Sequence, residues 1–321
     1  MKKTKNKKKT VAAFPRNEQK KFARMVCNCE TLSDAISMIR KKADDIGANI
    51  QPPNKIKTGS WFFILHKLAD GLEQKKEVFS IFVSGNSKLP FWAFSVLPEI
   101  TCPGAGECLQ FCYSFKAWQY PSAFARQIQN TLFLKFCKRL IIEAFKRLKW
   151  ADGDYVKQLR LYVDGDIDSI ETLLFWWNLL RQRPDVSAYG YSKSFDIFID
   201  ADRRGIAPPA NYVVNLSSGS KYENTETKKH FAGLPVVRGE FTAIHLSGDA
   251  AKFAKTNARY DDPDYYKAMR EEGKKQGYTR FAICPGKCGD CGNGKPFCAG
   301  MDSNGQPSAS LQGLPILNIA H

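Results

Sequence analysis

The sequence predicts an α/β protein: an incomplete (β/α) barrel-like parallel sheet with an N-terminal helical extension. Residues 17–47 carry two helical patterns of apolar residues, the second beginning near Thr31. From residue 159 onward, short strand-like runs alternate with helical patterns, as in βαβ units whose strands are parallel. Of the 321 residues, 43% are hydrophobic, which is enough material for a large core.

Four regions are expected along the chain. They are a basic disordered arm over residues 1–16, an extension of helices and strands over 17–77, an α/β domain with cysteine clusters over 78–300, and a tail over 301–321. The arm begins MKKTKNKKK, and the whole chain carries 48 Lys and Arg against 32 Asp and Glu, a net charge of +16. This excess favours an anionic partner, either a nucleic acid or a nucleotide. A solvated tail without a partner is the alternative for the arm.

Short apolar runs bounded by turn residues predict the strands that precede the first cysteine loop. They lie at residues 61–65, 78–83 and 91–97. Gly85 and Asn86 stand between two of these runs and predict a hairpin. Residues 122–150 show the apolar spacing of one long amphipathic helix, with Cys137 packed in the core.

The second half of the chain supplies the rest of the predicted sheet. Predicted strands cover residues 159–163, 186–191, 195–199, 212–217, 240–245 and 280–283, and predicted helices cover 169–182 and 264–275. In parallel sheets, ligands bind outside the carboxyl ends of the strands. Polar residues follow several of these strands, so we expect one composite site at this edge of the sheet.

The polar residues at the strand ends are the candidate site residues. The catalytic candidates are Asp164, Asp166, Lys193 and His245, and the cofactor-binding candidates are Asp164, Asp166 and Ser192. Lysine can bind phosphate or carboxylate, and histidine can act as acid, base or ligand. A surface lysine and a hydrogen-bonded structural histidine are the alternatives for Lys193 and His245. Asp168 is expected to cap the helix that follows it.

Seven of the ten cysteines lie in two loops rich in Gly and Pro. The upstream loop contains Cys102, Cys108 and Cys112, and the downstream loop contains Cys284, Cys288, Cys291 and Cys298. The chain shows neither a secretory signal nor an apolar run long enough to span a membrane, so we expect a cytoplasmic protein without a membrane partner. In a reducing compartment, clustered thiols indicate metal binding more often than disulfides.

The number of thiols in each loop bears on the metal. The four downstream thiols can close a tetrahedral zinc site or ligate a [4Fe–4S] cluster, so both remain open there. The three upstream thiols would leave one iron of a [4Fe–4S] cluster without a protein ligand, whereas a structural zinc site needs four ligands. We therefore expect one or two iron–sulfur clusters, with zinc as the alternative at the downstream four.

Several motifs in this order resemble the gene product 88 family of phage and plasmid proteins. They are SVLP at residues 95–98, TCPG at 101–104, YVDGD at 162–166, YGYSKS at 189–194 and the downstream cysteine cluster. The similarity spans roughly residues 78 to 298. It implies a phage or plasmid protein and no particular activity, because no activity is established for the family.

A looser resemblance is to radical S-adenosylmethionine (radical SAM) enzymes. Those enzymes combine a partial βα barrel with a three-cysteine loop, often with an aromatic residue before the last cysteine, as Phe111 stands before Cys112. The upstream spacing differs from that family's usual spacing, which occurs instead among the first three downstream cysteines. The resemblance implies S-adenosylmethionine as a cofactor whose amino group binds at Asp164-Gly165-Asp166.

Two hypotheses about function follow. In the first, the chain is a radical SAM-like enzyme that acts on a nucleotide or nucleic acid at a three-cysteine open cluster. In the second, it is a non-catalytic nucleic-acid-binding protein, associated with replication, whose cysteine loops hold structural zinc or iron–sulfur sites. The sequence makes no prediction about the oligomeric state.

Overall fold

The computed structural model describes residues 14–48, 60–86, 89–110, 112–149, 157–254, 262–286, 288, 296–301 and 308–319. These residues divide into two compact units. The first is drawn from Met1–Ser80 and Phe115–Leu140, and the second from Ile81–Ser114 and Ile141–His321. None of the helices in the described part has the length and apolar character that a membrane span needs.

The first unit is helical. It contains α1 Arg16–Asn28, α2 Leu32–Ala48, α3 Trp61–Glu73 and α4 Pro121–Phe136. The two helices predicted over residues 17–47 are confirmed as α1 and α2. Phe14, which falls within the predicted arm, is buried, and its ring meets those of Phe22, Trp61 and Phe124 edge-on at centroid distances of 5.6, 5.2 and 5.9 Å.

The strand predicted over residues 61–65 is wrong, because this run is the first part of α3. Leu65, Leu68 and Leu72 are all buried, and their spacing of three and four residues is that of a helix face. A five-residue apolar run has no periodicity of its own that separates a strand from a helix. The residues that decide the matter lie beyond it.

The single helix predicted over residues 122–150 is also wrong, because it is two helices. The backbone leaves the helical region at Cys137, with φ −141° and ψ 43°, and α5 then runs over Lys138–Lys146. Cys137 was expected inside a continuous helix and instead ends α4. Neither Gly nor Pro marks the break in the sequence, so it was not visible in the apolar spacing. Trp150, at the end of the predicted helix, lies outside the described residues.

The second unit is built on an eight-stranded sheet formed by its described residues. The strands are β1 Phe82–Asn86, β2 Leu89–Phe94, β3 Lys157–Arg160, β4 Val186–Ser192, β5 Tyr212–Ser217, β6 Val237–Ile244, β7 Ala282–Ile283 and β8 Ile316–Ile319. Their order is β1-β2-β3-β4-β5-β6-β8-β7, and every pair is parallel except β1 with β2. The fold is therefore α/β with an open, mostly parallel sheet and helices at the N-terminus, as predicted.

The remaining helices cover one face of this sheet. They are α6 Ile170–Arg181, α7 Phe195–Arg203, α8 Glu226–Ala232 and α9 Pro263–Lys275. From β2 to β6 each strand lies beside the one before it, and right-handed crossovers in one direction place their helices on the same side. Trp176 of α6 accordingly packs on Phe94 of β2, with ring centroids 4.8 Å apart.

Three details of the second unit differ from expectation. The strand predicted over residues 195–199 is wrong, because it is the start of α7, whose Phe195, Phe198 and Ile199 are buried at helical spacing. Ser169, not Asp168, caps α6, and its side chain accepts a hydrogen bond from the Thr172 amide. Residues 301–321, expected as a tail, contribute β8 to the sheet between β6 and β7.

The hairpin predicted at Gly85-Asn86 is confirmed as the antiparallel pair of β1 and β2, in which Asn86 is still paired with Leu89. The connecting residues 87 and 88 lie outside the described part of the chain.

Candidate functional site

The upstream cysteine loop lies against the loops that follow β4 and β5. The amides of Gly106 and Cys108 donate to the Gly219 carbonyl at 3.1 and 3.3 Å, and the Lys221 amide donates to the Gly104 carbonyl at 3.0 Å. Main-chain hydrogen bonds therefore hold the loop at the carboxyl ends of the parallel strands, where the sequence predicted a site.

Gly104 and Gly106 permit this close contact. A Cβ atom at residue 104 would overlap the Lys193 carbonyl group, and one at residue 106 would lie 2.7 Å from the Lys221 nitrogen. Both approaches are closer than a Cβ atom makes to backbone in real proteins. Positive φ angles occur at other glycines and at neither of these two. These two glycines are thus required for the close approach of two backbone segments.

Among the predicted site carboxylates, Asp166 is one whose charge acts on both Cys102 and Cys108. Its side chain is buried and accepts hydrogen bonds from the amides of Lys193 and Ile167, each at 2.7 Å. Burial raises the pKa of Asp166, and hydrogen bonds from these amides and from the Ser192 side chain oppose the rise. Three donors leave about one acceptor position on the carboxylate for a further partner.

The upstream thiols share one electrostatic environment with Asp166 and Lys193. Burial raises the pKa of Cys102 well above its ordinary value, and the charges of Asp166, Cys112 and Cys108 act in the same direction while Lys193 opposes them. Burial also raises the pKa of Cys108, again opposed by Lys193. A bound metal cation would act in the opposite direction and favour the thiolate form, because a thiolate is stabilised when it ligates a metal.

Lys193 is not the surface lysine that was its alternative interpretation. Its ammonium group donates to the Ser217 hydroxyl at 2.6 Å, and the side chain is partly buried. Ser192, directly before it, is 2% exposed and accepts a hydrogen bond from the Ser194 amide at 3.0 Å. The Ser220 hydroxyl lies within 3.0 Å of both the Lys193 and Gly104 carbonyls, which ties the loops together.

Two other predicted residues, Asp164 and His245, follow β3 and β6. Asp164 follows β3, and its carbonyl accepts a hydrogen bond from the Val96 amide at 3.0 Å. His245 comes directly after β6, two strands along the sheet from β4, and its side chain is exposed. The structure thus brings Asp166, Ser192 and Lys193 to the upstream loop and places His245 elsewhere on the same edge of the sheet.

Cys284 and Cys298 of the downstream loop lie against the face of the sheet opposite α6 and α7. Cys298 is buried in a 3₁₀ turn, Phe297–Ala299, and clusters with Tyr189 and Ile316, while Cys284 packs against the same cluster. The Cys298 carbonyl accepts a hydrogen bond from the Asn215 side chain at 2.8 Å.

Of the other two downstream cysteines, Cys288 lies within the described residues. The Cys288 thiol is close enough to Tyr189 to contribute, after burial, to the raised pKa of that phenol. Cys291 lies outside the described residues.

Sequence reasoning missed a group of polar residues on this same face. Gln158 and Arg160 alternate with Leu159 along β3, and Arg160 pairs in register with Tyr189 of β4. Arg160 has Tyr113, beside Cys112, and Cys288 of the downstream loop among its electrostatic neighbours. The alternation of polar with apolar residues along β3 was the signal that could have identified them.

Within the described residues, no three His, Cys, Asp or Glu side chains lie close enough together to hold a single metal ion. No curated protein and no solved structure matches the chain. The model of the family described as Gene product 88 matches residues 65–295 of the 321. The matched range contains the upstream cysteine loop, Asp166, Lys193 and the first three downstream cysteines. Because it covers more than half of the chain, this protein belongs to the Gene product 88 family.

Proposed function

We propose that this protein binds an iron–sulfur cluster through Cys102, Cys108 and Cys112 and acts on or with nucleic acid. The observation that carries the proposal is the position of the upstream loop, which sets three thiols beside Asp166 and Lys193 at the carboxyl ends of parallel strands. A carboxylate and an ammonium group beside several thiols are characteristic of a site that binds a metal or a cofactor. Cysteines with a purely structural role usually lie in apolar surroundings instead.

The donor set fits a cluster of several irons. In a [4Fe–4S] cluster each thiolate binds a different iron, so the thiols need not converge on one point as the ligands of a single ion do. Three thiolates leave one iron open to another ligand. Zinc as a single structural ion would need a fourth ligand at the upstream loop.

The protein groups beside the thiols suit the cofactor that an open iron would take. When bound, a reduced cluster would supply an electron and an open coordination position for radical chemistry. The remaining acceptor position of Asp166 can receive a hydrogen bond from an amino group such as that of S-adenosylmethionine, and Lys193 can pair with its carboxylate. Both side chains are held in place, Asp166 by two amides and Lys193 by Ser217. The finer part of this proposal is thus radical SAM-like chemistry.

The test of the cluster is anaerobic purification with iron, sulfide and zinc analysis, an absorption spectrum, and electron paramagnetic resonance of the reduced protein. We expect iron and sulfide in the native protein and their loss at one site in the Cys102→Ser variant. Cys27→Ser, which changes a cysteine of the first unit, is the matched control and should retain both. A protein with zinc alone, or with neither metal after reconstitution, would contradict the proposal.

A second candidate function rests on a different observation, the net charge of +16. In this alternative the protein binds nucleic acid without catalysis, and its cysteine loops hold structural zinc or iron–sulfur sites. Substrate binding by an enzyme and binding by a replication-associated protein both benefit from this charge. The two candidates are separated by adding S-adenosylmethionine to the reduced protein. A changed electron paramagnetic resonance spectrum of the cluster, together with formation of 5′-deoxyadenosine, would favour the enzyme hypothesis.

Nucleic-acid binding makes a separate prediction about salt. Deleting residues 1–9, which contain six lysines, should weaken binding to DNA or RNA and flatten its dependence on salt. Each lysine that no longer neutralises a phosphate reduces the slope of log K against log salt by roughly 0.7–0.9. Fluorescence anisotropy with duplex DNA and single-stranded RNA of equal length, over a range of salt concentrations, measures the slope. Absence of binding at low salt would remove this class of partner.

A further inference from the structure

We infer that this protein has a second binding site, for an oxyanion, on the face of its sheet opposite α6 and α7. The site is centred on Arg160, with Gln158 beside it on β3 and Tyr189 beside it on β4. Side chains two residues apart on a strand share a face, and residues paired in register on parallel strands point to the same side. The three polar groups therefore lie next to one another.

Arg160 is a partly buried cation, and its main ionisable neighbours within the described part of the chain include no carboxylate. Its Nε atom is buried, and no described residue accepts a hydrogen bond from it. The guanidinium stacks on the Tyr191 ring, 4.7 Å from its centroid, and its main ionisable neighbours are the phenols of Tyr191, Tyr113 and Tyr189 and the Cys288 thiol. A guanidinium presents five N–H donors in a planar fork that matches carboxylate and phosphate.

Gln158 and Tyr189, the neighbours of Arg160, also have buried polar atoms that lack a strong hydrogen-bond partner. Gln158 is 3% exposed, and neither its amide nitrogen nor its amide oxygen meets a described partner. Tyr189 is fully buried, and the group beside its hydroxyl is the Cys288 thiol, which is a weak hydrogen-bond partner. A buried polar group without a partner costs roughly 1–3 kcal/mol, so the unpaired atoms of Gln158 and Arg160, beside a weakly bonded Tyr189, indicate a binding partner that the described residues do not supply.

Arg238 shows what a structural arginine looks like on the same sheet. It is 1% exposed, and its guanidinium donates to the Asn215 side chain and to the carbonyls of Leu311, Leu314 and Glu240. Every nitrogen of that guanidinium is satisfied by the protein. Arg160 differs from Arg238 because its Nε donor awaits an acceptor that the described chain does not supply.

A cavity lies near this site, at the amino ends of β4 and β5, although Arg160, Gln158 and Tyr189 do not line it. It has a volume of about 1150 Å³ and is lined in part by Ser187 and Val213. Ser187 pairs in register with Gln158, and Val213 pairs with Tyr189. Arg181, Arg238 and Asp185 also line the cavity, so its lining has a small excess of positive charge.

The ligand is therefore a molecule whose carboxylate or phosphate accepts hydrogen bonds from Arg160, Tyr189 and the Gln158 amide. Its hydrogen-bond donor, such as an acid or sugar hydroxyl, would pair with the Gln158 oxygen. Carboxylates and phosphates share this chemistry, and direct measurement separates them. The site does not require a cluster, so it stands apart from the proposed function.

The test is calorimetric titration of the full-length protein with inorganic phosphate and, separately, with acetate, both at constant ionic strength against chloride. We expect saturable binding of at least one anion, which identifies the class. Arg160→Gln should weaken that binding at least tenfold. Arg204→Gln, which removes the same charge from an exposed position at the end of α7, should leave it unchanged.

Tyr189→Phe removes only a hydroxyl and keeps the ring, so it tests the site even where Arg160→Gln fails to fold. It should weaken binding several-fold and leave the iron and sulfide content as in the native protein. No saturable binding of either anion, or equal weakening by Arg204→Gln and Tyr189→Phe, would overturn the inference. If Cys102→Ser loses the cluster and still binds the anion, that result would support an anion site independent of the cluster.

Discussion

The two cysteine loops are held to the sheet by different kinds of contact. Main-chain hydrogen bonds to Gly219 and Lys221 hold the upstream loop, and glycines allow the close approach. Cys284 and Cys298 of the downstream loop pack instead as side chains within an aromatic and aliphatic cluster. A loop held by its backbone leaves its thiols available for a ligand, whereas thiols packed in a core contribute to the stability of the fold. We therefore expect chemistry at the upstream loop and a mainly structural metal at the downstream loop.

The largest expected effect comes from the downstream loop. Cys288→Ser or Cys291→Ser should release the downstream metal and lower Tm by roughly 10 °C, because metal binding at a structural site is coupled to folding and each kcal/mol shifts Tm by about 2–4 °C for a region of this size. Metal analysis and differential scanning calorimetry measure the two effects.

Cys102→Ser is the informative counterpart of that experiment. It should release the upstream metal with a smaller change in Tm, since main-chain hydrogen bonds remain to hold the loop. Equal decreases of Tm in Cys102→Ser and Cys288→Ser would break the distinction between the loops. Unchanged metal content and Tm in both downstream variants would show that those cysteines bind no metal.

A smaller effect is expected from the glycine that brings the upstream loop close to the sheet. Gly104→Ala should destabilise the second unit by about 2–3 kcal/mol and impair assembly of the upstream cluster, because the added methyl group overlaps the Lys193 carbonyl. Urea unfolding and iron analysis are the measurements.

Gly233→Ala is the matched control for that change. Residue 233 has φ −83°, and the nearest atom to an added Cβ is 3.4 Å away, so the substitution should change stability by less than about 1 kcal/mol. If the Gly104→Ala variant were as stable as the Gly233→Ala variant, that result would contradict the close contact between the upstream loop and the Lys193 carbonyl.

The smallest effect concerns cofactor affinity at the upstream site. Asp166→Asn should weaken binding of S-adenosylmethionine by about tenfold, which is roughly 1.4 kcal/mol, because it removes a charge-assisted hydrogen bond to the amino group. Titration of the reduced protein, followed by electron paramagnetic resonance, gives the affinity.

Asp164→Asn makes the same change of charge two residues away and serves as the comparison. The structure places Asp166 beside the thiols, so Asp164→Asn should have the smaller effect on affinity. A larger decrease with Asp164→Asn would assign the cofactor contact to that residue. Affinity unaltered in both variants would separate the carboxylates from cofactor binding altogether.

Much of the candidate site could be predicted from the sequence because chemistry and strand ends are local features. The two cysteine loops are visible as thiols among Gly and Pro, and Asp166 and Lys193 follow apolar runs that are strands. Parallel strands bring their carboxyl ends to one edge, so these residues were expected to meet. The residues missed were those inside a strand, Gln158 and Arg160, whose importance depends on what lies opposite them.

The errors in the fold have a common physical cause. Runs at residues 61–65 and 195–199 are too short to show a period, and both became helices because apolar positions farther along the chain continue the helical spacing. The break at Cys137 has no local signal of Gly or Pro. Packing decides such cases, because tertiary contacts outweigh the small differences in intrinsic propensity.

The sequence by itself determined the α/β class, the order of most elements and which loops carry thiols, because these follow from periodicity and composition along the chain. Only the tertiary structure decided that β8 enters the sheet between β6 and β7, that Gly104 serves close approach, and that Arg160 lacks the partners that Arg238 has. Those facts depend on contacts between residues far apart in the chain. Register and packing set such contacts, and no local pattern encodes them.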